Sequence, residues 1–137
     1  MTSTQTFLYP SRQIVQHLFE EAARVLTPGG YFLATIHLYD LYSLADPALS
    51  RFNFLRYSKT VWDRWFNSDI MSYNRMRASD YAALFEGLPF EKARWETTPP
   101  SAVDYRDLDR VPLSSEFAAY SREDLATPHL LFAMRRR

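Results

Sequence analysis

The stretch RVLTPGGYFLATIHL, Arg24 to Leu38, constrains the fold more than any other part of the chain. It joins the end of an amphipathic helix to a Pro-Gly-Gly turn and then to a run that is apolar on both faces. Pro28 fixes one turn dihedral, and a glycine accepts the positive φ that a following turn position needs, so the chain reverses here. A run apolar on both faces suits an interior parallel strand covered by helices on either side. The stretch therefore predicts an α/β domain with residues 31–38 at the centre of its sheet.

The helix entering this turn starts at Ser11, whose hydroxyl can cap it. It carries Ile14, Val15, Leu18, Phe19, Ala22, Val25 and Leu26 at spacings of three and four. Residues 1–10 are short and mostly polar and are expected to be loosely held. Residues 11–137 should form one domain, since 47% apolar side chains over this length are enough for a core. From about residue 39 to 78 the composition turns aromatic and charged. This predicts a helical insertion, with short helices starting near Asp46-Pro47 and near Ser58, the second carrying Val61, Trp62, Trp65 and Phe66. At helical spacing these aromatic residues fit a satellite core or, alternatively, a substrate pocket.

Ser79 is expected to cap a further helix that Gly87 ends, followed by a strand from Phe90 to about Thr97 that Pro99 and Pro100 stop. Residues 101–128 read as a long connection with short helices at SSEFAAY and SREDL. HLLFAMRRR reads as a last strand whose terminal arginines form a solvated tail.

Composition narrows the function. Lys plus Arg and Asp plus Glu balance at 16 each, so no overall field draws the chain to nucleic acid or to an anionic membrane. The lack of cysteine removes disulfides, thiolate nucleophiles and cysteine-based metal sites, and fits a cytoplasmic setting. No apolar run approaches the roughly 18 to 20 residues that span a bilayer, and no signal-like segment follows Met1, so a soluble protein is expected.

The order helix, VLTPGG turn, strand, insertion, helix, strand, long connection, strand resembles the second half of a class I S-adenosylmethionine-dependent methyltransferase. Two stretches carry the resemblance: VLTPGG, Val25 to Gly30, which feeds strand five in that family, and NFLRYSKTVWDRWFNSDIMSYNRMRASDYAALFEGLPFE, Asn53 to Glu91. The second is similar to a bacterial branch with an N-R-L-R-x-S-D-Y motif before the last helix. In that branch the exit of strand five reads like IDLxDH, whereas here it reads IHLYDL, keeping Asp40 but placing His37 and Leu41 where Asp and His are usual.

The resemblance implies a Rossmann-like fold with a three-stranded mixed sheet in the order five, seven, six and helices around it. It implies methyl transfer from S-adenosylmethionine to a small-molecule or sugar acceptor. Family members bind the cofactor with a Gly-rich turn after strand one and an acidic residue at the end of strand two. The glycines here, Gly29, Gly30 and Gly87, do not occupy such a turn, so the cofactor-binding residues stay unassigned. The chain then reads as the C-terminal portion of such an enzyme, a fragment, split-gene product or remnant not active alone. The alternative is a non-catalytic module that dimerises, or pairs with a complete enzyme or the missing N-terminal half, through an exposed edge of strand five.

By that resemblance the C-terminal end of strand five opens on the ligand crevice, and the last strand brings His129 to the same rim. His37 and Asp40 are the candidate catalytic bases, each able to take a proton from an acceptor hydroxyl or amine. The competing reading makes His37 a partly buried, hydrogen-bonded strand residue. Tyr42, Asn74, Arg75, Arg77 and His129 are the candidate substrate-binding residues. The arginines suit a carboxylate or phosphate, or alternatively a polar network that pins the insertion to the last helix. No local ligand spacing supports a metal site.

Overall fold

The computed structural model describes residues 1–68 and 72–137; three residues of the expected insertion, 69–71, lie outside the described residues. Strand β1 is Thr2–Thr4, helix α1 Arg12–Val25, strand β2 Tyr31–His37 and helix α2 Tyr42–Ala45. Helix α3 (Lys59–Trp65), helix α4 (Ala78–Leu84) and strand β3 (Phe90–Thr97) follow, then helix α5 (Ala102–Asp109), helix α6 (Arg122–Ala126) and strand β4 (His129–Arg136). The sheet order is β1-β2-β4-β3, with β1 parallel to β2, and β4 antiparallel to both β2 and β3.

The sheet has four strands among the described residues, not the three expected, and the added one comes from the segment expected to be loose. Thr2–Thr4 pairs with Leu33–Thr35 and so covers the edge of β2 that was expected to be open. The same segment is pinned by burial. Phe7 is 2% exposed and meets the Phe19 and Phe32 rings edge-on at 5.3 and 5.7 Å. The Tyr81 hydroxyl donates to the Phe7 carbonyl at 2.8 Å. Burial of Phe7 and Leu8, these contacts and the β1–β2 ladder act together against the ordering entropy of the segment.

Helix α1 forms as its apolar spacing dictates, with the Ser11 hydroxyl accepting from the Ile14 N–H at 3.4 Å. Gly29 adopts φ +84°, and its N–H reaches the Arg136 carbonyl at 2.7 Å, which stitches the turn to β4. Strand β2 departs from expectation. Phe32, Ala34 and Ile36 are buried, Phe32 against Phe19 of α1 and Phe85, whereas Tyr31 is 47% and Leu33 39% exposed. Phe19 of α1 and Phe85 after α4 pack on one face, against Phe32 and Phe132, while Tyr31 and Leu33 on the other face are exposed. Apolar composition on both faces therefore reports a surface able to be covered, not one that these residues cover.

Three smaller departures have local causes. Helix α2 ends at Asp46 instead of starting there. Ser79 lies inside α4, where Asp80 supplies the cap by accepting the Arg77 N–H at 2.8 Å. Ser101 and Asp104 close a capping box that starts α5, inside the segment read as a connection. The terminal arginines are tied down: Arg136 donates to the Ala23 carbonyl at 2.8 Å and Arg135 pairs with Glu91 at 2.9 Å. Among the described residues no helix is long and apolar enough to cross a membrane.

Candidate functional site

His37, the last residue of β2, is partly exposed, while beyond it Leu38, Tyr39 and Asp40 are buried, Leu38 and Asp40 at 1% and 2% exposure. Two elements then bring a second imidazole to the first. His37 and His129 are direct partners across the β2–β4 ladder, with ring centroids 4.8 Å apart and planes at 76°. Tyr39 stacks on His37 at 4.9 Å, and its hydroxyl lies 3.1 Å from His37 Nδ1. Nε2 is thereby left as the ring nitrogen not engaged by Tyr39.

Gln5 completes this corner. Its backbone takes φ 63°, its N–H donates to the Thr35 carbonyl at 2.9 Å, and its Oε1 accepts the His37 N–H at 2.7 Å. The Arg51 guanidinium lies 5.0 Å over the Tyr39 ring and donates to Asp104 at 2.8 Å. A crevice of about 510 Å³ opens here, lined among others by Gln5, His37, Glu96, Thr97, Pro99 and His129. Burial holds the His37 imidazole below its ordinary pKa. His129 is lowered first by burial and then by His37 and Arg51, with Asp104 opposing. Both rings thus favour the neutral form near neutral pH, the form that accepts a proton.

The other candidates do not join this group. Asp40 faces the interior, where Oδ1 accepts the Tyr42 N–H at 2.9 Å and Oδ2 has no hydrogen-bond partner among the described residues. Burial pushes its carboxyl up to about 6, against the opposing pull of the Tyr42 and Phe54 N–H groups and Asn53. The expected convergence of two histidines and a carboxylate is corrected accordingly. The chain bends at Tyr39, beyond the end of β2, and the Asp40 side chain turns inward to accept the Tyr42 N–H.

Tyr42 starts α2 and sits edge-on to Tyr73 and Phe66. Asn74 spends its side-chain N–H groups on the Phe7 and Pro10 carbonyls, at 2.6 and 2.9 Å. Arg75 is 6% exposed. It donates to the Phe54 and Tyr57 carbonyls and to Glu116, with its guanidinium 5.3 Å from both the Trp62 and Phe117 rings. Arg77 is fully buried, and its guanidinium donates to the carbonyls of Leu38, Thr127 and Asp124. It has no surface on which to hold a substrate, and the expectation that it binds one is corrected. Trp62, 1% exposed and stacked on Phe66 at 4.7 Å, belongs to the main core and not to a satellite of it.

A second cleft, of about 290 Å³, lies beside Asn74 and Arg75, with Arg12, Lys59, Asp80 and Tyr120 among its lining. Its charges are already matched: Arg12 with Asp80, Lys59 with Asp63 and Arg75 with Glu116. Among the described residues no group of three or more His, Asp or Glu side chains is placed to hold a metal ion. Gln5, Tyr39, Arg51 and Asp104 were not singled out by sequence reasoning. Of these, Tyr39 was reachable from its even spacing to His37, whereas Gln5 and Asp104 come from sequence-distant elements.

No protein-family model matches the sequence, and no curated protein matches it significantly. Solved structures align with this chain as follows. A geranyl diphosphate methyltransferase in complex with SAM aligns over 99% of this chain and 50% of its own, at 12% identity and TM-score 0.49. The geranyl diphosphate C-methyltransferase from Streptomyces coelicolor A3(2), with Mg2+, geranyl diphosphate and S-adenosyl-L-homocysteine, aligns over 99% and 46%, again at 12% identity and TM-score 0.49. A geranyl diphosphate methyltransferase with GPP and sinefungin gives 13% identity and TM-score 0.48. The chain spans about half the length of these proteins.

Proposed function

We propose that this chain forms the acceptor-side portion of an S-adenosylmethionine-dependent methyltransferase acting on a small-molecule or sugar acceptor. The observation that carries the reading is the rim at the exit of β2, where a strand fed by the VLTPGG turn delivers His37 beside His129 in an open crevice. Crevices outside the carboxyl ends of parallel strands are where open α/β sheets bind ligands.

The residues present do not fit the cofactor. A methyl donor of this size needs a close backbone approach after a strand, and among the described residues no strand is followed by glycine: Gln5, Leu38, Thr98 and Arg137 succeed the four. The chemistry assigned to this chain is therefore that of the acceptor alone. An acceptor hydroxyl or amine in the crevice gives its proton to His37 Nε2, Tyr39 holds the ring through Nδ1, and His129 forms the opposite wall. Asp40, sealed from the crevice, does not act as the base.

The test is a titration of the folded chain with hydroxyl- and amine-bearing small molecules, sugars included, followed by the imidazole NMR signals. At least one compound should shift His37 and His129 together, with the response lost in His129→Ala. Ligands that perturb only the cleft beside Arg75 and leave both imidazoles unmoved would overturn the assignment of the rim.

A second reading, a non-catalytic module that pairs with another copy, is favoured by the contrast between the two outer strands. β3 carries Glu91, Lys92, Arg94 and Glu96 and a bulge between Lys92 and Arg94, devices that discourage edge pairing. β1 reads Thr-Ser-Thr and lies beside exposed Tyr31 and Leu33. Light scattering that gives the monomer mass at all concentrations would count against this reading.

A further inference from the structure

We propose that Arg77 is a positioning residue that fixes the spacing of the His37 and His129 imidazoles by clamping the chain on both sides of the pair. The inference rests on the reading of that pair as the proton-accepting rim. The geometry is unusual for an arginine. Its guanidinium is fully buried, and the hydrogen bonds it makes go to backbone carbonyls: Nη1 to Leu38 at 2.7 Å, Nη2 to Thr127 at 2.8 Å and Nε to Asp124 at 3.3 Å.

Leu38 directly follows His37 in the chain, and Thr127 lies two residues before His129. One planar fork therefore bridges the exit of β2 and the entrance of β4, at the end of the ladder where strands ordinarily fray. Within the bridged segment the Leu38 N–H donates to the Pro128 carbonyl at 2.8 Å, which continues the ladder past its last residue pair. Asp80 anchors the clamp from behind by accepting the Arg77 N–H while bound to the Tyr120 hydroxyl and to Arg12. Lysine cannot reproduce the fork, because a single ammonium on a flexible stem does not span two carbonyls in a fixed plane.

The experiment is an NMR pH titration of both imidazoles in the unaltered chain and in Arg77→Lys, with circular dichroism to establish that the variant is folded. The groups that face the pair are Tyr39 beside His37, Gln5 after β1, Glu96 and Thr97 on β3, Arg51 after α2 and Asp104 on α5. In the unaltered chain protonation of one ring should suppress that of the other. In Arg77→Lys this coupling should fall and the lower midpoint should rise by about half a pH unit, the size expected of charges at this spacing in a water-like medium. An unchanged titration in folded Arg77→Lys would overturn the proposal, since a role in stability alone would leave the midpoints in place.

Should Arg77→Lys not fold, hydrogen exchange on the unaltered chain decides. The clamp requires the Leu38 amide to exchange as slowly as the centre of β2, and fast local exchange there would overturn it. Neither readout uses an acceptor, so failure of the clamp and failure of the acceptor reading remain distinguishable.

Discussion

Asp40 and the histidine pair pull stability in opposite directions across the same pH range. The Asp40 carboxyl is raised to about 6 by burial, so its contribution is fully present below the ordinary Asp value and is lost as pH rises through 6. The histidines, lowered by burial, contribute above their ordinary value and lose that contribution as pH falls. Asp40→Asn removes only the first effect. Its melting temperature relative to the unaltered chain should therefore climb between about pH 3.5 and 7, by the equivalent of up to about 3 kcal/mol. A constant offset across that range would contradict the placement of Asp40. The pair has its own test. His37→Gln should raise the His129 midpoint, read by NMR, because His37 is one of the groups that lowers it; no change would mean that the rings are not held together. The types of these residues were legible in the sequence and their grouping was only partly so. His37 and His129 meet as the expected antiparallel pairing requires. The separation of Asp40 comes with the bend at Tyr39 beyond the end of β2, which no residue pattern in the sequence announced.

At the scale of elements, the turn before β2 is the most sharply specified. Gly29 has a positive φ, and a side chain there meets Arg135 no closer than 3.9 Å, so Gly29→Ala should cost the conformational penalty alone, about 1 to 2 kcal/mol. Gly30→Ala acts differently: its Cβ would lie 2.9 Å from the Thr27 carbonyl oxygen, so the turn itself must shift. Urea denaturation of both variants checks this, and a neutral Gly30→Ala would contradict the tight turn. Helix α1, β3 and β4 were readable because spacing, caps and prolines all agree within each segment. β1 was not, since three small polar residues carry no strand pattern of their own and owe their conformation to the edge of β2. Helix α5 was hidden for a related reason. Its cap residue Ser101 and the box partner Asp104 follow two prolines, and the segment has too few apolar positions to show a period.

Across the whole molecule, one sheet face is packed by α1 and the Phe85 region, the other is open, and the histidine rim lies at the end of the open face. The sequence carries apolar residues for both faces of β2, and this is why the strand reads as fully buried although Tyr31 and Leu33 are exposed. What the described residues supply is a crevice holding an imidazole pair; what they do not supply is a glycine turn at the end of any strand. The most direct measurement is calorimetric titration of the folded chain with S-adenosylhomocysteine. The expected result is no saturable heat, because the residues present build the rim and no cradle for the cofactor. Saturable binding at one site per chain would contradict that division and place the cofactor within residues 1–137.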